Sequence, residues 1–278
     1  MKQIFDKLSF DMSEMTTKRY STSFSMGISF LQKEIQKPIY SIYGFVRFAD
    51  EIVDSFHGFD KAYLLSDFKR QTYEAIDNGI SLNPILNSFQ WAVNHYDIPR
   101  ELIDTFLDSM EMDLDKSIYD KVNYEKYILG SAEVVGLMCL KVFVHGDQKE
   151  YEKLTYYAMK LGSAFQKINF LRDLKDDYQE LGRTYFPNVD MKNFNDQVKK
   201  TIEEDIAVEF QIGYEGIKML PKNSRFGVYM AYTYYYKLFQ KIKSTHPEKI
   251  LVSRIRIPNN KKYSLLFTSY LKHNLNLI

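Results

Sequence analysis

The sequence predicts an all-α protein. Glycine (12) and proline (7) are scarce among the 278 residues, and the alternating apolar and polar segments typical of strands are almost absent. Long stretches instead repeat apolar residues at intervals of three and four, which indicates helices that bury one face. No linker, internal repeat or low-complexity tract divides the chain, so residues 1–278 are expected to form a single domain.

Eight to ten helices are expected from these patterns. Pro38 can open a helix that continues to Phe56, because the first turn of a helix does not need the N–H that proline lacks. The segment from His57 to Asp60 is then typical of a stop followed by a new N-cap. Further helical patterns cover 61–78, 84–96, 99–116, 123–145, 148–180, 195–219, 223–244 and 261–276. A long loop is expected at 182–193, and 244–260 is irregular, with a short extended segment at 251–257.

Composition excludes several classes of protein. The 37 Lys and Arg against 36 Asp and Glu leave a net charge of +1, so we expect no nucleic-acid partner bound through a basic field. Cys139 is the lone cysteine and cannot form an intramolecular disulfide, which favours a reducing compartment such as the cytoplasm. The first residues lack the apolar core of a signal peptide, and the longest apolar run, Val134–Leu140, is too short to span a bilayer.

Three pairs of aspartates have the i, i+4 spacing that places both carboxylates on one face of a helix. They are Asp50/Asp54, Asp104/Asp108 and Asp173/Asp177. Since 20 aspartates in 278 residues give about 1.4 such pairs by chance, the spacing alone does not identify a metal site. Asp104/Asp108 has only a solvated acidic edge around it, so this pair is set aside.

The other two pairs extend polar stripes along helix faces that would normally be apolar. The first stripe is Tyr43, Arg47, Asp50 and Asp54, and the second is Gln166, Asn169, Asp173 and Asp177. Aliphatic and aromatic residues flank both, and a buried carboxylate is costly unless it is paired or bound to a metal. Two such stripes facing each other therefore predict a cavity that holds cations.

Arginines accompany the second stripe. Arg172 precedes Asp173, and Arg183 and Tyr185 follow in the segment GRTYFP. Guanidinium groups bind phosphate oxygens through paired hydrogen bonds, whereas aspartates alone repel them. Carboxylates, divalent cations and arginines in one cavity predict a diphosphate site.

At these residues the chain resembles the squalene/phytoene synthase family, and within it the bacterial phytoene synthases. The segments that carry the resemblance are YSTSFS (20–25), SIYGFVRFADEIVD (41–54), GSAEVVGLM (130–138) and FQKINFLRDLKDDYQELGRTYFP (165–187). The resemblance implies an isoprenoid-synthase helical bundle with a central cavity. It also implies an Mg²⁺-dependent prenyltransferase that joins two geranylgeranyl diphosphates head to head, through a cyclopropylcarbinyl (prephytoene) diphosphate, to phytoene in carotenoid biosynthesis.

The resemblance assigns roles to particular residues. The metal-facing set would be Asp50, Asp54, Asn169, Asp173 and Asp177. The catalytic set would be the four aspartates with Tyr43 and Arg47. The substrate-binding set would be Tyr20, Ser21, Thr22, Ser23, Tyr43, Arg47, Gln166, Arg172, Arg183, Tyr185, Tyr235 and Arg254.

The chain departs from the family pattern at two points. Tyr20 and Thr22 stand in the first flap, where the family often shows a basic residue. Glu133 replaces a glycine in the Ala-Gly-x-Val-Gly pattern, which predicts an altered helix crossing.

The aromatic content suits carbocation chemistry. Of 42 Tyr and Phe rings, four or five are expected to line the cavity, where their faces stabilise a cation without attacking it. Five apolar residues in and just after the third segment are candidates for the wall of a tunnel that binds the prenyl tails, and ordinary helix packing is an equal alternative for them. They are Val134, Val135, Leu137, Met138 and Leu140.

Other functions stay open from sequence alone. A dehydrosqualene or squalene synthase would use farnesyl diphosphate, and a non-catalytic helical assembly factor would share the fold without the reaction. The expected partners are prenyl diphosphates, with no obligate protein partner. Because substrates and product are lipidic, a cytoplasmic protein with peripheral contact at the inner face of the membrane is also expected.

Overall fold

The structure, a computed structural model, describes residues 1–115, 119–179, 184–187, 189 and 193–257. In these ranges the chain is helical and contains no β-strand, which confirms the all-α expectation. The α-helices are α1 (Lys2–Tyr20), α2 (Thr22–Ser29), α3 (Lys33–Asp54), α4 (Lys61–Asn78), α5 (Pro84–His95), α6 (Arg100–Asp115), α7 (Lys121–Ile128), α8 (Val134–Phe143), α9 (Gln148–Gln179), α10 (Asp196–Met219), α11 (Lys222–Lys243) and α12 (Pro247–Val252), with a π-helical turn, Leu129–Glu133, between α7 and α8.

The strongly periodic helices begin and end close to where the sequence predicts. The bounds of α4 are as predicted. The observed bounds of α5, α6, α9, α10 and α11 differ from the predicted ones by at most one residue at each end. Asp60 caps α4 by accepting a hydrogen bond from the backbone N–H of Tyr63 at 2.9 Å. The pattern predicted as one helix over 123–145 forms α7, the π-helical turn and α8. The helix predicted at 261–276 lies outside the described residues.

Four expectations were wrong. Helices α1 and α2 were not predicted, and the described residues contain twelve α-helices where eight to ten were expected. Helix α3 begins at Lys33, so Pro38 lies inside the helix and does not open it. Of the segment predicted to be extended at 251–257, the first two residues belong to α12.

Helix α1 escaped prediction because its buried face is made of hydroxyl side chains. Ser9, Ser13 and Thr17 are 0, 0 and 3% exposed. Their polarity is satisfied locally, since Ser9 donates to the Phe5 carbonyl and Thr17 to the Ser13 carbonyl, both at 2.9 Å. Small side chains also let α1 approach α3 closely, and a Cβ at Gly44 would lie 2.9 Å from Ser13 Oγ. The exposed face carries the apolar residues Ile4, Leu8 and Met15.

Helices α3 and α9 each run through the middle of a group of helices. Helix α3 packs against α1, α5, α6 and α8, where Phe45 stacks on Phe89 with ring centroids 3.9 Å apart. Helix α9 packs against α8, α10, α11 and α12. Both helices line one cavity, so the fold places the two predicted polar stripes, except for Asp177, on the walls of a shared space.

The π-helical turn lies at two close helix crossings. A Cβ at Gly130 would lie 2.5 Å from the Thr105 carbonyl oxygen, and one at Gly162 would lie 2.7 Å from the Ala132 carbonyl oxygen. Glu133 ends this turn and is 9% exposed, and burial raises the pKa of its carboxyl, while Lys160 lowers it. The tight contacts thus fall at Gly130 and Gly162, and Glu133 is accommodated beside them.

Candidate functional site

A cavity of about 900 Å³ lies between α3 and α9. This volume is near the upper end of the range for small-molecule sites. Along α9 the lining extends from Leu154 to Asp173, a length of about 28 Å at about 1.5 Å per residue. Polar residues line the end near Asp173 and mainly apolar residues line the end near Leu154. The cavity can therefore hold a long ligand with one polar end.

Helix α3 contributes Tyr43, Arg47, Asp50 and Asp54 to the polar end, as the first stripe predicts. Burial raises the pKa of Asp50 to about 7, because a desolvated carboxylate resists ionisation. Arg47 opposes this shift, while the negative charges of Asp54 and Asp113 add to it. Asp50 is therefore a half-buried carboxylate, 34% exposed, that lacks sufficient positive charge in its surroundings.

Arg47 has donor capacity left over. Its guanidinium pairs with Glu51, lies 3.8 Å from an oxygen of Asp50 and stacks over the ring of Tyr20, with 4.3 Å between Cζ and the ring centroid. Its Nε is buried and has no hydrogen-bond partner within the part of the chain that the structure describes. A buried guanidinium donor without an acceptor suits an anionic ligand.

Helix α9 forms the opposite wall with Gln166, Asn169, Arg172 and Asp173. Asn169 donates to the Gln166 amide oxygen at 3.1 Å and accepts from the Tyr235 hydroxyl at 3.2 Å. Gln166 in turn donates to Ser131 Oγ at 3.3 Å. These bonds fix the amides of the wall relative to α11 and the π-helical turn.

Two arginines hold the carboxylate of Asp173. Arg172 donates from Nε at 2.9 Å and from Nη2 at 2.5 Å, and Arg254 places its Nε 2.7 Å from Oδ1. Burial alone would lower the pKa of Arg172, but its hydrogen bond to Asp173 raises it overall, so this guanidinium stays charged.

The break between α1 and α2 brings a run of hydroxyls to the same end. Ser21 is the N-cap of α2 and accepts from the Phe24 N–H at 3.2 Å. Tyr20, Ser21, Thr22 and Ser23 all line the cavity. The predicted flap is thus the start of a helix, whose N-terminal N–H groups favour anions nearby.

Aromatic rings separate the polar end from the apolar end. Phe24 lies 4.8 Å from Tyr43 and 5.5 Å from Tyr235, and Phe165 stacks on Tyr235 at 4.1 Å between ring centroids. The lining contains nine Tyr and Phe rings, so the expected four or five was too low. Burial raises the pKa of Tyr43 well above its ordinary value and that of Tyr235 to about 12.

Magnesium, the metal implied by the resemblance, fits these residues as an ion that arrives with its ligand. Among the residues described, no three Asp, Glu, His or Cys side chains converge as a ready-made metal site. Mg²⁺ is usually bound through one or two carboxylates and completed by water and substrate phosphates. Asp50 and Asp54 on one wall, with Asp173 and Asn169 on the other, would hold such an ion. A cation there would also stabilise the charged form of Asp50.

Comparison with known proteins identifies the family. The squalene/phytoene synthase family model matches residues 17–261 of the chain. The chain belongs to this family. The aligned segments include all four that carried the resemblance in the sequence.

Relatives within the squalene/phytoene synthase family carry more than one activity in their names. The chain is 27% identical to 4,4'-diapophytoene synthase of Staphylococcus haemolyticus, over 68% of this chain and 65% of the relative. It is 24% identical to phytoene synthase 1 of Solanum lycopersicum, over 91% of this chain and 65% of the relative. The chain thus spans less than two thirds of the length of either relative.

A solved structure shares the squalene/phytoene synthase fold of the chain. It is a dehydrosqualene synthase in complex with ligand, with a TM-score of 0.81 and 22% sequence identity, covering 98% of this chain and 99% of that one. The isoprenoid-synthase helical fold expected from sequence is thereby confirmed.

Three of the predicted site residues lie outside the described lining of the cavity. Tyr185 is 5% exposed and stacks on Phe170 at 4.1 Å, within a cluster of buried rings just behind Tyr127 of the described lining. Asp177 lies one helical turn beyond Asp173, outside that lining. Arg183 lies outside the described residues.

Of the predicted tunnel-wall residues, Val135 and Leu140 line the cavity, while Val134, Leu137 and Met138 are buried in the packing around it. Cys139, expected to be a core residue, also contributes to the lining, and burial raises the pKa of its thiol to about 12. Helix α8 has apolar residues on every face, so its sequence shows no periodicity that distinguishes the residues facing the cavity from those packed around it.

Sequence reasoning missed several polar residues of the site. Those in the lining are Thr17, Tyr127, Ser131, Tyr234 and Arg256. Asp113 is 7% exposed and accepts the hydroxyls of Tyr119 at 3.0 Å and Tyr127 at 2.6 Å, close enough to raise the pKa of Asp50. The i, i+4 spacing of Tyr127, Ser131 and Val135 is a signal that could have found two of them. It would have placed Tyr127 and Ser131 on the same helix face as Val135, a predicted tunnel-wall residue.

Proposed function

We propose that this chain joins two geranylgeranyl diphosphates head to head, through a cyclopropylcarbinyl (prephytoene) diphosphate, to phytoene in carotenoid biosynthesis. The observation that carries the proposal is the cavity, with carboxylates and guanidiniums at one end and an apolar lining at the other. Membership of the squalene/phytoene synthase family supports the reaction type.

The length of the cavity favours C20 donors. A carbon chain with bonds of about 1.5 Å advances about 1.25 Å per bond, so the sixteen-carbon backbone of a geranylgeranyl group extends about 19 Å. The lining along α9 spans about 28 Å, which leaves roughly 9 Å for the diphosphate and its cation. A farnesyl backbone of twelve carbons extends about 14 Å and would leave the apolar end partly empty.

At the polar end, the residues bind and orient the leaving group. Arg47, Arg172 and Arg254 are placed to donate to diphosphate oxygens, and the aspartates of α3 and α9 would hold Mg²⁺. The bound ion supplies positive charge that stabilises the diphosphate as the allylic C–O bond breaks. The tails bind by burial in the apolar end, at about 0.8 kcal/mol per CH₂.

The residues around the middle of the cavity protect a carbocation. The faces of Phe24, Phe165, Tyr43 and Tyr235 each stabilise a cation by about 0.5–2 kcal/mol. The raised pKa values of Tyr43, Tyr235 and Cys139 keep their hydroxyl and thiol groups protonated at neutral pH. These groups are then weak nucleophiles, and an apolar lining excludes water that would trap the cation as an alcohol.

Product analysis tests the proposal. Purified protein is incubated with Mg²⁺ and either geranylgeranyl or farnesyl diphosphate, and the hydrocarbon extract is separated and identified by mass. We expect a C40 triene-centred hydrocarbon from the C20 donor and markedly less product from the C15 donor. A C30 product in clear excess at equal donor concentration contradicts the C20 assignment.

A C15 reaction is the second candidate. It is favoured by the similarity to a 4,4'-diapophytoene synthase and by the fold shared with a dehydrosqualene synthase. The same incubation with farnesyl diphosphate, run with and without a nicotinamide reductant, separates a dehydrosqualene product from squalene. A non-catalytic assembly factor would give no product with either donor.

We propose in addition that the protein works in the cytoplasm, in contact with the inner face of the membrane. None of the described helices is long and apolar enough to cross a bilayer. Helix α1 offers a surface for peripheral contact, since Ile4, Leu8 and Met15 are 73, 51 and 55% exposed on one face. Lys7 and Arg19 are exposed on the same helix and suit anionic headgroups.

Vesicle sedimentation checks the contribution of α1. We expect the protein to sediment with vesicles of phosphatidylcholine and phosphatidylglycerol, and the variant Ile4→Glu/Leu8→Glu to remain mostly in the supernatant. Val208→Glu, an equally exposed position at 59% on α10, is the control and should bind like the parent. Unchanged binding of the α1 variant contradicts the proposed surface.

A further inference from the structure

Asp173 has no free oxygen on its carboxylate. Arg172 donates to both oxygens, and Arg254 approaches the same two oxygens, with Nε 2.7 Å from Oδ1 and Nη2 3.3 Å from Oδ2. Two charged forks therefore meet one carboxylate that is itself 19% exposed. The pair with Arg254 joins residues 81 positions apart in the chain.

Arg254 belongs to a short segment that crosses the polar end of the cavity. We call residues 253–257 the strap. The Ile255 N–H donates to the Arg172 carbonyl at 3.4 Å, and Lys241 donates to the Arg256 carbonyl at 2.5 Å. Ile255 and Ile257 are buried, at 4 and 8% exposed. The strap is thus anchored by its backbone and its isoleucines, and the Arg254 side chain can change partner without the strap leaving.

We infer that Arg254 is a positioning residue that couples metal binding to diphosphate binding, an inference that rests on the proposed function. A carboxylate engaged by two guanidinium forks has no oxygen ready for a metal ion. Mg²⁺ on Asp173 therefore requires one guanidinium to leave. Arg254 is the more exposed of the two, at 38% against 21% for Arg172. Its further ion-pair partner, Asp176, is 3.8 Å away, so the departing guanidinium needs a better acceptor. A diphosphate at the same end of the cavity supplies acceptor oxygens of matching geometry.

Coupling follows from this exchange. Without diphosphate, Mg²⁺ competes with Arg254 for Asp173 and binds weakly. With diphosphate, the guanidinium moves to phosphate oxygens and the competition is removed. Coupling of this kind is reciprocal, so each ligand raises the affinity of the protein for the other by the same factor, typically about 5- to 150-fold.

Calorimetric titration with Mg²⁺ and inorganic pyrophosphate tests the inference without substrate turnover. For the parent protein we expect weak binding of Mg²⁺ alone and at least about tenfold tighter binding when the protein is held with pyrophosphate, after correction for Mg²⁺–pyrophosphate association in solution. Arg254→Met keeps the length of the side chain and removes the fork. It should bind Mg²⁺ alone several-fold tighter than the parent and lose most of the coupling.

Two further variants make the result specific. Lys249→Met removes a positive charge from the exposed side of α12, five residues before Arg254 and outside the described lining of the cavity, and should keep the parental coupling. Arg254→Lys keeps the charge without the fork and should show intermediate coupling, which also guards against loss of fold in the methionine variant. If Arg254→Met binds pyrophosphate more weakly but Mg²⁺ alone no tighter, Arg254 is only a diphosphate ligand and the inference is overturned. A parent protein that binds no pyrophosphate with Mg²⁺ instead refutes the proposed function itself.

Discussion

Replacing Asp50 or Asp173 by asparagine is expected to lower Mg²⁺-dependent release of diphosphate from geranylgeranyl diphosphate at least about a hundredfold. Asparagine preserves the shape of the side chain and removes the negative charge. Asp50 lies on the α3 wall and Asp173 on the α9 wall of one cavity. Asp50 and Asp173 are among the residues that would hold Mg²⁺, so either variant would bind the ion less well and would stabilise the leaving group less as the C–O bond breaks.

The third aspartate pair provides the matched control. Asp104 has the same i, i+4 spacing to Asp108 on α6, accepts a hydrogen bond from the Tyr73 hydroxyl and does not contribute to the described lining of the cavity. Asp104→Asn should release diphosphate at close to the parental rate. Phosphate detection with a coupled pyrophosphatase, over a range of Mg²⁺ concentrations, measures all three variants. Near-parental rates for Asp50→Asn or Asp173→Asn would refute the metal assignment on that wall.

The sequence was sufficient for the helices that bury an apolar face. Helices α5 and α6 have strong apolar periodicity and were predicted to within one residue at each end. Helix α1 could not be found in this way, because Ser9, Ser13 and Thr17 form its buried face while Ile4, Leu8 and Met15 are exposed. Apolar periodicity reveals a helix whose buried face is apolar. It does not reveal a helix whose buried face consists of small hydroxyl residues that allow a close helix contact.

The polar stripes of the site were predictable for a related reason. Carboxylates and amides at offsets of three, four and seven within apolar helices are costly unless they face a cavity, so Asp50 and Asp173 could be singled out. Tyr185 lies only a short distance further along the chain, but the loop that carries it packs the ring on Phe170. Contacts such as Arg254 with Asp173 depend on how distant segments meet, which spacing within one segment does not encode.

A buried group of charges on the other side of α9 gives the largest expected effect on stability. Glu209 on α10 is 4% exposed, and the single Ser163 hydroxyl donor lies 2.9 and 2.8 Å from its two carboxylate oxygens. Lys167, 7% exposed, lies 3.0 Å from Glu209 and 2.5 Å from Asp205, and Lys160 lies 3.4 Å from Glu209. This group joins α9, which carries the second polar stripe, to α10.

Replacing Glu209 by leucine is expected to lower the free energy of unfolding by about 3–5 kcal/mol, measured by urea denaturation. The loss arises because Lys167 stays buried, with the largely exposed Asp205 as its remaining ion-pair partner among the described residues. Ser163 also loses its acceptor. The double variant Lys167→Met/Glu209→Leu removes both charges together and should recover most of that loss. The exposed pair Lys200/Glu204 on the same helix, with 3.9 Å between charged atoms, is the control, and Glu204→Leu should cost at most about 1 kcal/mol. The second substitution, Lys167→Met, removes the lysine charge that Glu209→Leu leaves unpaired. A double variant no more stable than Glu209→Leu would therefore mean that the loss comes from packing and not from an unpaired lysine.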